Sequence, residues 1–210
     1  MKLKQKTILG VLALASVLTL LPPNNTKAAS TSGSTSVSVT LPDVIILHYF
    51  SGITLNFNTD IEDPVNESAG SSWTVSWDGT SSSTDELTDS NLDDMTVTAT
   101  DLDGGTVTVN IPNVWAIRGF SSDGTATVEI DIDDSELTAT ATGSSATIAM
   151  SGEEVDDNNG HVGDPITAAL NGIRKTNATI GDVNLTFDFT NAVESGSYTG
   201  GQYTITATAV

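Results

Sequence analysis

The sequence predicts an all-β protein, an antiparallel β-sandwich of about ten short strands. Three observations carry this expectation. Apolar residues recur at every second position through most of the chain, which places them on one face of a strand. Asp-Gly, Asn-Gly and Gly-Gly pairs punctuate the runs; Gly supplies positive φ there, and Asn or Asp bonds its own backbone. β-Branched Thr and Val abound while helix formers such as Lys, Arg and Gln are sparse, a balance that suits a pleated surface.

In chain order, Val37, Val39 and Leu41 alternate with Ser38 and Thr40 and predict a first short strand, led in by the flexible STSGSTS stretch of residues 30–36. Pro42 and Asp43 separate it from VIILHYF, Val44 to Phe50. That run is apolar on both faces, so it is expected to be buried between layers or covered by something else. Ile53, Leu55 and Phe57 alternate with Thr54 and Asn56, and Trp73, Val75 and Trp77 with Thr74 and Ser76. Asp78-Gly79 is expected to form a turn, and the Ser/Thr/Asp-rich residues 79–94 a long loop. Val107 and Val109 sit between threonines, and Val128, Ile130 and Ile132 alternate with Glu129 and Asp131. PITAAL, Pro165 to Leu170, is the one stretch with helical character. Leu185, Phe187 and Phe189 alternate with Thr186 and Asp188, and Tyr203, Ile205, Ala207 and Ala209 with three threonines. One-sided alternation of this kind marks antiparallel strands wet on one face.

The N-terminus reads as a secretory leader. Lys2, Lys4 and Lys6 precede an uncharged run from Ile8 to Leu21, and Pro22, Pro23 and small residues to Ser30 follow. The run is 14 residues long, short of the roughly 18–20 that span a bilayer. Cleavage is expected after Ala28 or Ala29, and the absence of cysteine excludes a lipoprotein anchor. The predicted organisation is a signal peptide at 1–29, a tether with an N-terminal strand at 30–42, and one sandwich domain at 43–210. The product would be exported to the periplasm, cell surface or medium, with no membrane insertion once the leader is gone.

Charge then excludes a class of partners. Four of the seven basic residues lie in the leader, leaving 3 basic against 27 acidic residues and a net charge of −24. Such a surface repels phosphate backbones and anionic headgroups, so nucleic acid is not an expected partner. With no cysteine, stability must come from a core large enough to do without disulfides.

No constellation of residues makes a good catalytic site, and the protein is not expected to be an enzyme. A hydrolytic triad needs a histidine base oriented by a third group. His48 lies inside VIILHYF, where a partly buried, hydrogen-bonded ring is expected, and His161 lies in the acidic loop DDNNGHVGD. No G-x-S-x-G elbow occurs. The cluster Asp156, Asp157, Asn158, Asn159 and Asp164 has oxygen ligands suited to calcium. It departs from the EF-hand pattern, because placing Gly160 sixth puts Val155 first. A solvated acidic loop is expected there, and no metal or cofactor. Asn66, Asn177 and Asn184 head N-x-S/T triplets, which chance supplies in a Ser/Thr-rich chain. Arg118, in NVWAIRG, and Arg174-Lys175, in NGIRKTN, are expected in structural ion pairs, with a subunit contact as the alternative.

The chain closes on ESGSYTGGQYTITATAV, residues 194–210. This Tyr-Thr-Gly followed by an alternating Tyr/Ile/Thr strand resembles the last strand of bacterial fimbrial-subunit-like β-sandwiches, the pilin-like and spore-coat-U-like families. The resemblance also takes in the plan of leader, short alternating N-terminal strand and sandwich. It implies an immunoglobulin-like or pilin-like sandwich whose subunits join by β-strand addition. The expected function is an exported structural or cell-surface protein of a bacterial envelope, a fimbrial subunit in the sharpest form. Its partners would be copies of itself or related subunits, and a periplasmic chaperone. Val37, Val39 and Leu41 are the candidate assembly residues. The alternative is a monomeric secreted binding module for carbohydrate or calcium-dependent adhesion.

Overall fold

The computed structural model describes residues 31–58, 72–81, 95–98 and 105–210. The leader, the Asn66 triplet, the loop residues 82–94 and the acids Asp101 and Asp103 lie outside them. The chain divides into two compact units, Met1–Thr40 and Leu41–Val210. The described part of the first, residues 31–40, carries no strand or helix.

The second unit is built from strands. They are β1 (Val44–Asn58), β2 (Ser72–Ser81), β3 (Met95–Thr98), β4 (Thr106–Phe120), β5 (Thr125–Asp134) and β6 (Glu136–Ala139). Then come β7 (Thr147–Asp156), β8 (Val162–Gly163), β9 (Ile166–Ala169), β10 (Thr179–Asp188), β11 (Tyr198–Thr199) and β12 (Gln202–Ala209). Every pairing is antiparallel. One sheet runs β11-β6-β7-β10-β4-β1-β2-β3 with β8 on β7, and a second runs β12-β5-β9. The all-β, sandwich-like character read from the alternation is what the chain adopts. Two strands are longer than the sequence suggested, β1 and β4 at 15 residues each.

β1 owes its length to a change of partner. Val44 to Tyr49 pair with Phe120 to Trp115 of β4, and from Phe50 onward the strand pairs with β2. The register shifts between Phe50 and Gly52, the kind of bulge by which one strand passes between layers. VIILHYF is accordingly half-buried rather than enclosed: only His48 in it is buried, and Tyr49 is exposed.

Asp78-Gly79 does not turn. Both residues lie inside β2, opposite Thr54 and Ile53. The glycine is there for room. A Cβ on it would stand 2.7 Å from the Trp77 ring and against the Phe50 ring, which meet edge-to-face at 5.1 Å. PITAAL is likewise a strand. β9 pairs with the start of β5, and its alternation of buried Ile166 and Ala168 with exposed Thr167 and Ala169 is period two, not helical.

The core joins both sheets. Val107, Val109 and Ile111 of β4 and Val183, Leu185 and Phe187 of β10 cluster with Ala126, Val128 and Ile130 of β5. β4 then changes habit: Val114 to Ile117 are buried without alternation. The switch falls at Asn113, whose φ of 57° is the left-handed conformation Asn tolerates better than most residues. Its N–H donates to Asp182 Oδ1 at 2.9 Å, and the opposing strand shifts register between Gly181 and Val183.

Candidate assembly surface

Val37, Val39 and Leu41 are 84%, 76% and 64% exposed, and residues 31–43 form no strand. The alternation is present without a ladder. A strand exists by pairing, and this segment has no partner strand among the described residues. Pro42 has no N–H to extend β1 backwards, and the β1 ladder begins at Val44.

Among the described residues the second sheet ends in a strand paired on one side. β12 bonds to β5 along its whole length, and in the order β12-β5-β9 no described strand makes a ladder with its other edge. β1 passes near it but shares no pairing with it. Natural edge strands are usually blunted by charge, proline or brevity. β12 is eight residues, QYTITATA, with none of these guards. Its inner face is also less covered than its neighbour's. Ala126, Val128 and Ile130 of β5 are wholly buried, whereas Tyr203, Ile205 and Ala207 of β12 are only partly so. The other sheet ends are shorter: β9 and β3 have four residues each and β11 two. The sequence showed the alternation of β12 but not its edge position, which depends on which strands become neighbours.

The acidic loop between β7 and β8 is knotted up by its own hydrogen bonds. Asp157 is 2% exposed. Its Oδ1 accepts the N–H groups of Asn159 (2.9 Å) and His161 (3.2 Å), and its Oδ2 lies 2.7 Å from His161 Nδ1. Burial pushes the Asp157 carboxyl up, but the bonds from the His161 ring and from both backbone N–H groups outweigh it and hold the group below the usual carboxylate range. Asp156 Oδ1 accepts Asn158 N–H, Asp182 Oδ1 accepts the Asn158 side-chain amide, and Asp164 Oδ1 accepts Ile130 N–H. Oxygens that accept N–H groups face donors rather than a cation. Among the described residues no group of three or more His, Asp or Glu side chains converges as metal ligands. Asp157 meets the His161 ring at Nδ1, the contact an acid makes to a triad histidine; no hydroxyl bonds that ring among the described residues. Chelator is expected to leave the melting temperature unchanged. A calcium site filled at 100 times its dissociation constant would add about 2.7 kcal/mol, so a chelator-induced drop of several degrees would reverse this expectation.

Arg118 and Arg174 depart from the ion pairs foreseen for them. Arg118 Nε donates to His48 Nε2 at 3.1 Å, and its Nη1 donates to the carbonyl of Ile173. An arginine N–H only donates, so His48 Nε2 carries the lone pair. Neither Arg118 nor Arg174 contacts a carboxylate among the described residues. His48 is 8% exposed, the buried and hydrogen-bonded ring its apolar setting predicted. Comparison of the chain with protein-family models, with curated proteins and with solved structures finds no match.

Proposed function

We propose that this protein is an exported structural subunit of a bacterial surface, joined to its neighbours by β-strand addition. One observation carries the proposal: an exposed period-two segment, Val37 to Leu41, occurs in the same chain as an eight-residue edge at β12 that no described strand pairs. Each is a liability alone, and each satisfies the other in a second copy. The donor's backbone would complete a ladder on β12, and Val37, Val39 and Leu41 would cover the half-open face around Tyr203 and Ile205. The leader-like N-terminus and the acidic, cysteine-free composition fit an exported subunit. Before assembly the same edge is what a periplasmic chaperone would hold. The role is structural rather than catalytic.

Val39→Asp tests it. An unpaired charge in such a pocket costs about 3–5 kcal/mol, over 100-fold in affinity. Light scattering and electron microscopy should find oligomers or filaments in the wild type and none in Val39→Asp, with the circular dichroism of both β-rich and alike. Deleting residues 30–41 should do the same. A wild type that stays monomeric at every concentration, with a deletion that unfolds, would assign the segment to its own domain and end the proposal.

A further inference from the structure

Asn-Gly occurs twice in the sequence, at Asn159-Gly160 and at Asn171-Gly172. The pair has a chemistry of its own. The amide nitrogen of the following residue can attack the asparagine side chain, and glycine puts no Cβ in the way. Both asparagines are exposed, so exposure does not separate them. The nitrogens do. Gly172 N–H donates to the Gly119 carbonyl at 2.9 Å, and Gly119 N–H returns a bond to the Gly172 carbonyl at 3.1 Å. Asn177 Nδ2 also donates to the Asn171 carbonyl at 3.0 Å. That bridge ties the loop after β9 to the end of β4 and must open before Gly172 can act. Gly160 lies in the exposed β7–β8 loop, and its N–H makes no hydrogen bond among the described residues. Among those residues nothing stands within 4 Å of the place a Cβ on it would take.

The amide next to Asn159 is held differently. Asn158 directs its side chain to Asp182 Oδ1 at 2.8 Å. The nitrogen that would attack it, Asn159 N, donates to Asp157 Oδ1 at 2.9 Å. Asn158 is therefore guarded at both the side chain and the attacking nitrogen. Asn159 is guarded only at the side chain, whose Nδ2 donates to the Asp157 carbonyl at 2.8 Å. Swinging that side chain toward Gly160 breaks one neutral bond within an exposed loop. Releasing Gly172 breaks paired bonds between two separate parts of the chain, a larger local opening and a rarer one.

We propose that Asn159 is a self-modification site, where Gly160 N displaces ammonia from the side-chain amide and water then leaves a carboxylate in its place. Gly160 N gives up its proton and forms a bond to Asn159 Cγ. The Cγ–Nδ2 bond breaks and ammonia leaves with that proton, closing a succinimide. Water opens the ring at Cγ to give aspartate, or at the backbone carbonyl carbon to give isoaspartate. Water is consumed, ammonia is released, and nothing is oxidised or reduced. Each product carries one more negative charge. The bond from Nδ2 to the Asp157 carbonyl is lost, since an ionised carboxylate only accepts. In isoaspartate an extra carbon also enters the backbone between Asp157 and His161, whose N–H and carbonyl close the loop at 3.2 Å. The loop that holds the His161 ring against Asp157 thus loosens as the protein ages. The chemistry needs only water and does not depend on strand addition.

Peptide-mapping mass spectrometry of the purified protein, aged in mildly alkaline buffer, tests the site. The peptide containing Asn159 is expected to gain the one mass unit that exchanges NH2 for OH. It should do so at least roughly tenfold faster than the peptide containing Asn171, whose attacking nitrogen acts only after local opening. In urea, where neither loop persists, the two should react at comparable rates. That control separates protection by the fold from any difference between the residues that follow each glycine. Fragmentation that distinguishes aspartate from isoaspartate should find both at position 159. Asn159→Gln, which would have to close a larger ring, should keep its charge on ion exchange through the same incubation. Equal rates at the two sites in the folded protein, or a faster Asn171, would overturn the proposal. So would an Asn159 that reacts in urea but not in the folded chain.

Discussion

Trp115→Ala is expected to cost about 3–5 kcal/mol, the upper range for emptying a core site. Trp115 is 1% exposed and sits where both faces of β4 are covered. Its ring lies over Gly181 on the neighbouring strand, so close that a Cβ there would collide with the ring and with the Asp156 carbonyl. Its Nε1 donates to the Asp182 carbonyl at 2.9 Å in a buried bond. Losing the ring opens a cavity, and losing the donor leaves an acceptor unpaired at about 1–3 kcal/mol. Gly181→Ala approaches the same contact from the other side and should cost about 1–3 kcal/mol by overpacking. Urea unfolding separates these effects. The double variant should lose less than the two singles together, because removing the ring relieves part of the collision. It should not be free, since the Asp156 carbonyl remains. A Trp115→Ala loss under about 1 kcal/mol would show that the site collapses without cost.

Local pattern and local chemistry made much of this fold legible, and the failures share a cause. Val128, Ile130 and Ile132 or Tyr203, Ile205 and Ala207 announce strands because period two reports one buried face. Asp78-Gly79 announced a turn because the dipeptide favours one. In the fold its glycine makes room for Phe50 and Trp77, and Phe50 comes from a different strand. The helical look of PITAAL yields to pairing with β5, 38 to 44 residues earlier in sequence, as tertiary context overrides a weak propensity. The division of β1 between β4 and β2 is invisible in VIILHYFSGITLNFN, though Gly52 at the bulge is a hint.

The candidate surfaces follow the same rule. The exposed segment at Val37 to Leu41 is plain in the sequence, since its alternation and its proline are both local. Its proposed acceptor is not, because an edge is a property of strand order. The Arg118–Ile173 contact is further out of reach. The two are 55 positions apart, and Gly119 and Gly172, which exchange backbone hydrogen bonds beside it, are uninformative until both are placed. One cost of this architecture is visible in β2: Trp77 Nε1 is buried with no hydrogen-bond acceptor among the described residues. Trp115, with similar burial, is satisfied.

Asp157→Asn is expected to lower stability by about 2 kcal/mol at neutral pH, and by progressively less as the solution is acidified. The carboxylate accepts from Asn159 N–H, His161 N–H and the His161 ring, and bonds to a charged acceptor are worth about 1.5–3 kcal/mol. Asparagine keeps an oxygen for the backbone donors. It turns an amide donor toward the ring and loses the charge. The sign with pH follows from linkage. Burial raises the Asp157 pKa, but the three hydrogen bonds bring it net below the ordinary value of 3.8. A group depressed in the folded state stabilises fully above its unfolded pKa, about 3.9, and loses that contribution as pH falls through the folded value. The gap in melting temperature between wild type and Asp157→Asn should therefore be flat from pH 8 to about pH 5 as far as this carboxyl is concerned, then close below about pH 4. Other acids titrate in the same window, but they do so in both proteins, and the difference reports on Asp157 together with the His161 ring it holds. Asp182 is the neighbour to watch, since Asn158 bridges from this loop to it at 2.8 Å. Asp182→Asn in both backgrounds should leave the shape of the gap intact. A gap that is absent at pH 7, or that widens in acid, would mean that the buried carboxylate is tolerated by the loop rather than holding it.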